Sequence, residues 1–167
     1  MVLGMSLKTF TEFHVLLSLI GIVSGIIVAL AMLSVKRVPK TTATFLITSA
    51  VTDLTGFLFP MPFDPADVVG IISLVFVGLA ALSLYSGKLL HAWRWIYVAS
   101  ALFALYLNCF VLVVQTFQKV AFFHALAPTQ KEPPFAAAQG VVLVLFLGWG
   151  IVALRKFRPL STAVRAA

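Results

Sequence analysis

Five long apolar stretches alternate with short polar segments along the chain. An α-helix rises about 1.5 Å per residue, so about 20 mostly apolar residues cross the hydrocarbon core of a bilayer. The stretches that meet this requirement are residues 12–34, 42–59, 68–86, 95–117 and 135–154. The pattern therefore predicts an all-α integral membrane protein with a single bundle of five transmembrane helices.

Prolines separate most of the predicted helices, since proline lacks a backbone N–H and interrupts the hydrogen bonding of a helix. They are Pro39, Pro60, Pro62, Pro65, Pro128, Pro133 and Pro134. The second stretch is the weakest of the five because it contains Asp53. A four-span alternative leaves this stretch outside the bilayer.

The first apolar stretch has one feature of a secretory signal, because Ala29-Leu30-Ala31 fits a cleavage pattern. We favour a permanent helix, since the apolar run is too long for a signal and Lys8 is the only basic residue before it. The first stretch is therefore counted as a membrane span.

Composition supports the membrane assignment. The chain is 62% hydrophobic and 10% charged, whereas soluble domains contain about 45 to 50% apolar and about 25% charged residues. The segments between the spans are too short for a separate soluble domain, so residues 1–167 are expected to form one transmembrane domain. The single cysteine, Cys109, has no partner for an intramolecular disulfide.

The net charge of +7 comes from an uneven placement of basic residues. Cytoplasmic loops of membrane proteins are enriched in Lys and Arg. One set of predicted loops and ends carries Lys36, Arg37, Lys40, Lys88, Arg94, Arg155, Lys156, Arg158 and Arg165. The opposite set carries Lys8, Lys119 and Lys131, together with the acids Glu12, Asp64, Asp67 and Glu132.

This asymmetry predicts a multi-pass protein of a bacterial inner (cytoplasmic) membrane, with its N-terminus outside and its C-terminus inside. The basic residues then contact anionic lipid head groups at the inner face, and nucleic acid is not needed to explain them. The loop over residues 119–134 is itself apolar in part and is expected to lie on the outer surface as a short interfacial helix.

Polar side chains collect in the predicted outer half of the bilayer. Such residues are costly in hydrocarbon unless they face protein or water, so they are the first candidates for function. We expect a ligand-binding pocket with Asp53 and Asn108 as its floor, His14, Ser18, Gln115 and Gln139 as its wall, and His124 and Gln130 on its lid. The inner half offers only hydroxyl groups at comparable depth, so the pocket is expected to open on the outer side alone.

Asp53 is the sharpest of these signals. An acid near the bilayer centre costs roughly 2.5 to 3.5 kcal/mol on insertion scales. The carboxyl is therefore expected to be protonated and hydrogen-bonded, or neutralised by a bound cation. The structural alternative is a hydrogen bond between Asp53 and Asn108 that fixes helix packing.

Several functional alternatives remain open from the sequence. The first hypothesis is a pocket for a small ligand, proton or cation. A second is haem or quinone binding, with His14 or His124 as ligand or hydrogen-bond donor, although no metal-ligand spacing supports it. A small permease and a structural subunit of a larger membrane complex are the others. Soluble-type catalytic motifs are missing from the sequence, so an enzyme is the less favoured class.

Two glycines on the first helix have a packing role in this interpretation. Gly21 and Gly25 form a GxxxG pattern that permits close approach of another helix. We expect them to pack inside the bundle, and homo-oligomerisation through them is the less favoured alternative.

Overall fold

The computed structural model describes residues 2–60 and 65–158 of the chain. The helices are α1 (Leu7–Leu33), α2 (Pro39–Gly56), α3 (Pro65–Tyr85), α4 (Ala92–Lys119), α5 (Ala121–Leu126) and α6 (Pro133–Lys156). The all-helical prediction is confirmed for this part of the chain, and each predicted span corresponds to one of the five long helices. Asp64 and Arg165, which contributed to the predicted charge asymmetry, lie outside the described residues.

Four of the described helices, α1, α3, α4 and α6, are long and apolar enough to cross a membrane. This supports the assignment to a membrane protein. The less apolar α2 has 18 residues and includes Lys40, Asp53 and seven Ser or Thr side chains. By length and composition, α2 is not among the helices that could cross a membrane.

Local sequence explains where several helices begin. Ser6 caps α1, since its hydroxyl accepts a hydrogen bond from Thr9 N at 3.1 Å. α2 and α6 both begin with proline, which suits the first turn because the N–H that proline lacks has no partner there. The short α5 lies between two of the long helices, in agreement with the short helix predicted within residues 119–134.

Helices α1 and α2 lie antiparallel and close together. His14 near the start of α1 contacts Thr55 near the end of α2. Further along, a Cβ added to Gly25 would lie 2.9 Å from the ring of Phe45 on α2 and 2.5 Å from Leu105 on α4. A side chain at this position has no room, which is the physical reason for glycine here. The expected packing role of Gly25 inside the bundle agrees with this geometry.

Helix α4 occupies the centre of the bundle and packs against α1, α3, α5 and α6. Its side chains form much of the buried core, including Tyr97, Val98, Ala104 and Leu105. Helix α6 lies at the periphery, because Ala153 is the only one of its residues that is buried. The bundle is therefore arranged around α4, with α6 the most exposed of the long helices.

The described basic residues divide the bundle into two chemically different ends. We call one the basic end, where the α1–α2 and α3–α4 connections meet the C-terminus of α6. There Arg94 donates from Nη1 to the carbonyls of Leu154 and Phe157, at 3.2 and 2.6 Å. These bonds satisfy carbonyls that the helix end leaves free. The opposite end, which carries α5, is called the α5 end.

Candidate functional site

Asp53 lies within the bundle, on the side of α2 that faces α3. It is only 9% exposed, and its carboxyl lies beside the hydroxyl of Ser73 on α3, which is 2% exposed. Neither Asp53 Oδ2 nor Ser73 Oγ forms a hydrogen bond with another described residue. Buried polar atoms are normally paired, so this pair of oxygen atoms is an unusual feature that calls for a functional or chemical explanation.

Asn108 lies on the central helix α4 and makes its contact with α2 through Ser49. Its Nδ2 donates to Ser49 Oγ at 3.1 Å. Ser49 precedes Asp53 by one helical turn, and it is 1% exposed. Asn108 therefore reaches α2 through Ser49, and no hydrogen bond among the described residues joins Asp53 to Asn108.

His14 also belongs to the contacts of α2. Its Nδ1 and Thr55 Oγ1 are 2.9 Å apart. The Thr55 hydroxyl already donates to the carbonyl of Val51 at 2.7 Å, so its oxygen is the acceptor and His14 Nδ1 carries the hydrogen. The imidazole also meets the ring of Phe59 edge to face, at 5.3 Å between centroids. His14 is therefore oriented from two sides at the α5 end.

Two glutamines of the predicted wall and lid contact the backbone of α4, Gln139 from within α6 and Gln130 from the loop before it. Gln139 Nε2 donates to the carbonyl of Phe110 at 3.2 Å, and Gln130 Nε2 donates to that of Val114 at 2.9 Å. The side-chain oxygens of Gln115 and Gln139 are buried without a hydrogen bond to a described residue. These contacts divide the predicted site into a group around α2, which includes Asn108 of α4, and a second group in which Gln130 and Gln139 meet the backbone of α4.

Ser18 and His124 have different surroundings from the rest of the predicted site. The Ser18 hydroxyl donates to the carbonyl of Val15 in its own helix, at 2.7 Å. His124 is exposed on α5. The structure records no contact that brings either described side chain to Asp53, so their assignment to the wall and the lid stays a prediction.

The loop before α6 is held by Glu132. Its Oε1 accepts hydrogen bonds from Thr129 N and Thr129 Oγ1, at 3.3 and 2.8 Å, and its Oε2 accepts one from Lys131 N at 3.1 Å. Partial loss of surrounding water raises the pKa of Glu132, but these hydrogen bonds outweigh it and the pKa is lowered overall. The carboxylate therefore orders the turn that presents Gln130 to α4.

Metal chemistry has little support in the described residues. Across residues 2–60 and 65–158, no group of three or more His, Cys, Asp or Glu side chains is placed so as to hold a metal ion. His14 keeps Nε2 as a free lone pair in the tautomer inferred above, which is the atom a haem iron would need. Haem or quinone binding stays a hypothesis that an absorption spectrum and a quinone extraction would test.

A feature that sequence reasoning missed lies at the basic end. A cavity of about 90 Å³ is bordered by Lys36, Arg37, Thr42, Tyr85 and Tyr97, together with apolar side chains. We expected polar groups to enclose space only in the half near α5. The adjacent Lys36-Arg37 pair is the signal in the sequence that could have indicated this cavity. Its proximity to Tyr85 and Tyr97 depends on how three segments that are distant in the sequence meet in the fold.

Comparisons with known proteins leave the site to be interpreted from its own chemistry. Family models, curated proteins and solved structures provide no match to this chain.

Proposed function

We propose that the protein spans a bacterial inner membrane five times, with its N-terminus outside, and binds a proton or small ligand from the outer side at a buried site centred on Asp53. The fifth span in this proposal is α2. It lies alongside α1, from the His14 to Thr55 contact to the close approach of Gly25 and Phe45. A helix that follows a spanning helix over this length shares its depth, which supports a membrane location for α2.

The observation that carries the functional proposal is the unpaired contact between Asp53 and Ser73. Burying an ionised carboxylate without a partner is costly, whereas a protonated carboxyl is neutral and gains a donor hydrogen. A proton on Asp53 gives the carboxyl a hydrogen that can be donated to Ser73 Oγ. Gain and loss of that proton would then reverse the hydrogen bond between α2 and α3, because the ionised carboxylate accepts from the Ser73 hydroxyl and the protonated carboxyl donates to it.

A proton fits this site better than a divalent cation. Mg²⁺ and Ca²⁺ require six or more oxygen ligands. The oxygens that the structure leaves buried and unpaired near Asp53 belong to Asp53, Ser73 and the neighbouring Thr52. This donor set is too small for a dehydrated metal ion but sufficient for proton exchange with a water molecule or a small ligand.

The functional proposal is tested by replacing Asp53 with Asn. Infrared difference spectra of the reconstituted protein, taken between acidic and neutral pH, should contain a carboxylic acid band that is lost in Asp53→Asn. Glu12→Gln is the matched control, because it removes an exposed acid. Ser73→Ala should shift the band without removing it. A spectrum in which Asp53→Asn leaves every carboxyl band unchanged, in a folded protein, rules out the assignment of Asp53.

The proposed topology has its own test, in which Cys109 is first replaced by Ser. New cysteines at Ser34, Ser86 and Thr129 are then labelled with a maleimide that does not cross membranes. Five spans put Ser34 and Ser86 on the inner side and Thr129 on the outer side. Four spans without α2 put Ser34 and Ser86 on opposite sides, so this single comparison separates the two topologies.

A further inference from the structure

The cavity at the basic end has an apolar floor and a cationic mouth. Met32, Leu89 and Phe157 are buried apolar residues on its wall. Lys36 and Arg37, which follow α1, are exposed at its border. The volume of about 90 Å³ is smaller than an engineered cavity of about 150 Å³ that holds one benzene molecule. A space of this size accepts one compact polar group and excludes a nucleotide or a haem.

The charge around this cavity is positive and lacks nearby acidic residues in the sequence. The five acidic side chains of the chain are at positions 12, 53, 64, 67 and 132. None belongs to the segments that meet at the basic end, residues 34–41, 86–94 and 155–158. Lys36 and Arg37 therefore border a cavity formed by segments that contain no acidic side chain.

Hydroxyl groups lie behind these two cations. Thr42 and Tyr97 are buried on the wall of the cavity, and their hydroxyls lie side by side. Thr42 Oγ1 donates its hydrogen to the carbonyl of Val38 at 3.0 Å, so the Tyr97 hydroxyl is the donor of the two. Arg37 and Tyr97 border the same cavity.

We propose that this cavity binds the phosphate group of an anionic phospholipid from the membrane leaflet at the basic end. Arginine binds phosphate oxygens through two parallel N–H groups, and lysine adds a point charge. The Tyr85 hydroxyl supplies a neutral donor, and the apolar floor accommodates the carbon atoms next to the phosphate. The site is independent of Asp53 and of the proposed proton binding.

Native mass spectrometry of the full chain in an uncharged detergent tests the proposal. Phosphatidylglycerol should bind at one site per chain, more tightly than phosphatidylcholine. Removing both cations in K36Q/R37Q should weaken phosphatidylglycerol binding roughly thirtyfold, on the basis of about one kilocalorie for each basic residue near a lipid phosphate. Tyr85→Phe should weaken it less, because it removes one neutral donor.

The matched control is K88Q/R158Q, which removes one Lys and one Arg from the same end without altering the cavity wall. This variant should change the affinity by less than about threefold, because neither side chain borders the cavity and salt screens charges farther from the bound phosphate. Equal losses in the two double variants would mean that the basic end attracts lipid only through its overall charge, and the proposal would be overturned.

A measurement on the unmodified protein covers the case in which K36Q/R37Q fails to fold. Acetylation of Lys36 with a soluble reagent should be slower in nanodiscs containing phosphatidylglycerol than in those of phosphatidylcholine, while Lys88 reacts equally in both. Inorganic phosphate added to the phosphatidylcholine nanodiscs distinguishes the source of the anion. Protection by the lipid supports the proposal, whereas protection by free phosphate alone, or by neither, overturns the lipid assignment.

Discussion

Helices α2 and α6 differ in a way that reverses what soluble proteins show. The polar α2 buries seven residues, five of which are Ser, Thr or Asp. The apolar α6 is longer, at 24 residues, but buries only Ala153. In a lipid environment apolar side chains gain little by leaving the exterior, whereas polar side chains gain by meeting protein partners. The contrast teaches that the polar side chains of α2 lie inside the bundle beside the apolar core around α4, whereas the apolar side chains of α6 form part of the exterior.

The largest expected effect that sharpens this contrast is at Gly25. A Cβ at this position would approach Leu105 to 2.5 Å and Phe45 to 2.9 Å. Gly25→Ala should lower the free energy of unfolding by about 1 to 3 kcal/mol, the usual cost of overpacking. Reversible unfolding in detergent micelles measures this change in the free energy of unfolding.

Gly148 on α6 provides the control, because a Cβ added there meets nothing within 4 Å. Gly148→Ala should leave stability within about 0.5 kcal/mol of the parent or raise it slightly, since alanine favours helix. Equal destabilisation by the two substitutions would contradict the assignment of α6 to the exterior.

A medium effect is expected at the hydrogen bond between α2 and α4. Ser49→Ala leaves the Asn108 amide without the partner that it meets at 3.1 Å. A double-mutant cycle with Asn108→Ala should give a coupling energy of about 0.6 kcal/mol, and at most about 1.7 kcal/mol, as found for interhelical hydrogen bonds in membranes.

The corresponding bond of α6 joins Gln139 to a backbone carbonyl of α4, that of Phe110. Gln139→Leu should cost less than Ser49→Ala, because the carbonyl already belongs to a helix and keeps its intrahelical partner. A larger loss of stability for Gln139→Leu than for Ser49→Ala would contradict the contrast, because the more stabilising polar contact would then belong to α6.

The smallest effect concerns the entry into α6 and its dependence on pH. The pKa of Glu132 is lowered in the folded protein, so this carboxylate stabilises its loop above its unfolded pKa of about 4.3. That contribution is lost as the pH falls through the lower folded pKa. Amide hydrogen exchange at Thr129 and Lys131 should therefore show extra opening in acid, beyond the intrinsic pH dependence of exchange.

Glu132→Gln is the control for this prediction. The amide retains an oxygen acceptor but does not titrate in acid, so the extra opening should disappear while α4 and α2 keep the same exchange rates. If the variant and the parent respond to acid alike, another group controls the loop.

Several contacts at the candidate site follow from the sequence only in part. The spacing of Ser49, Asp53 and Gly56 puts them on one side of α2. The sequence does not predict which neighbour each of these residues meets. Helical periodicity gives the direction of a side chain and not the identity of the helix that lies opposite. Asn108 thus meets Ser49, while Asp53 lies beside Ser73, a residue in a span where sequence reasoning had found no candidate.

The sequence alone determined that the chain is helical, where its long helices lie and which end is basic. These properties depend on local quantities: the length of each apolar stretch, the position of each proline and the placement of charge. Only the tertiary structure decided that α4 is central, that α6 is peripheral, and that residues near positions 36, 85, 97 and 157 enclose one cavity. The physical reason is that helix order in a bilayer depends on close packing and a few polar contacts between distant segments.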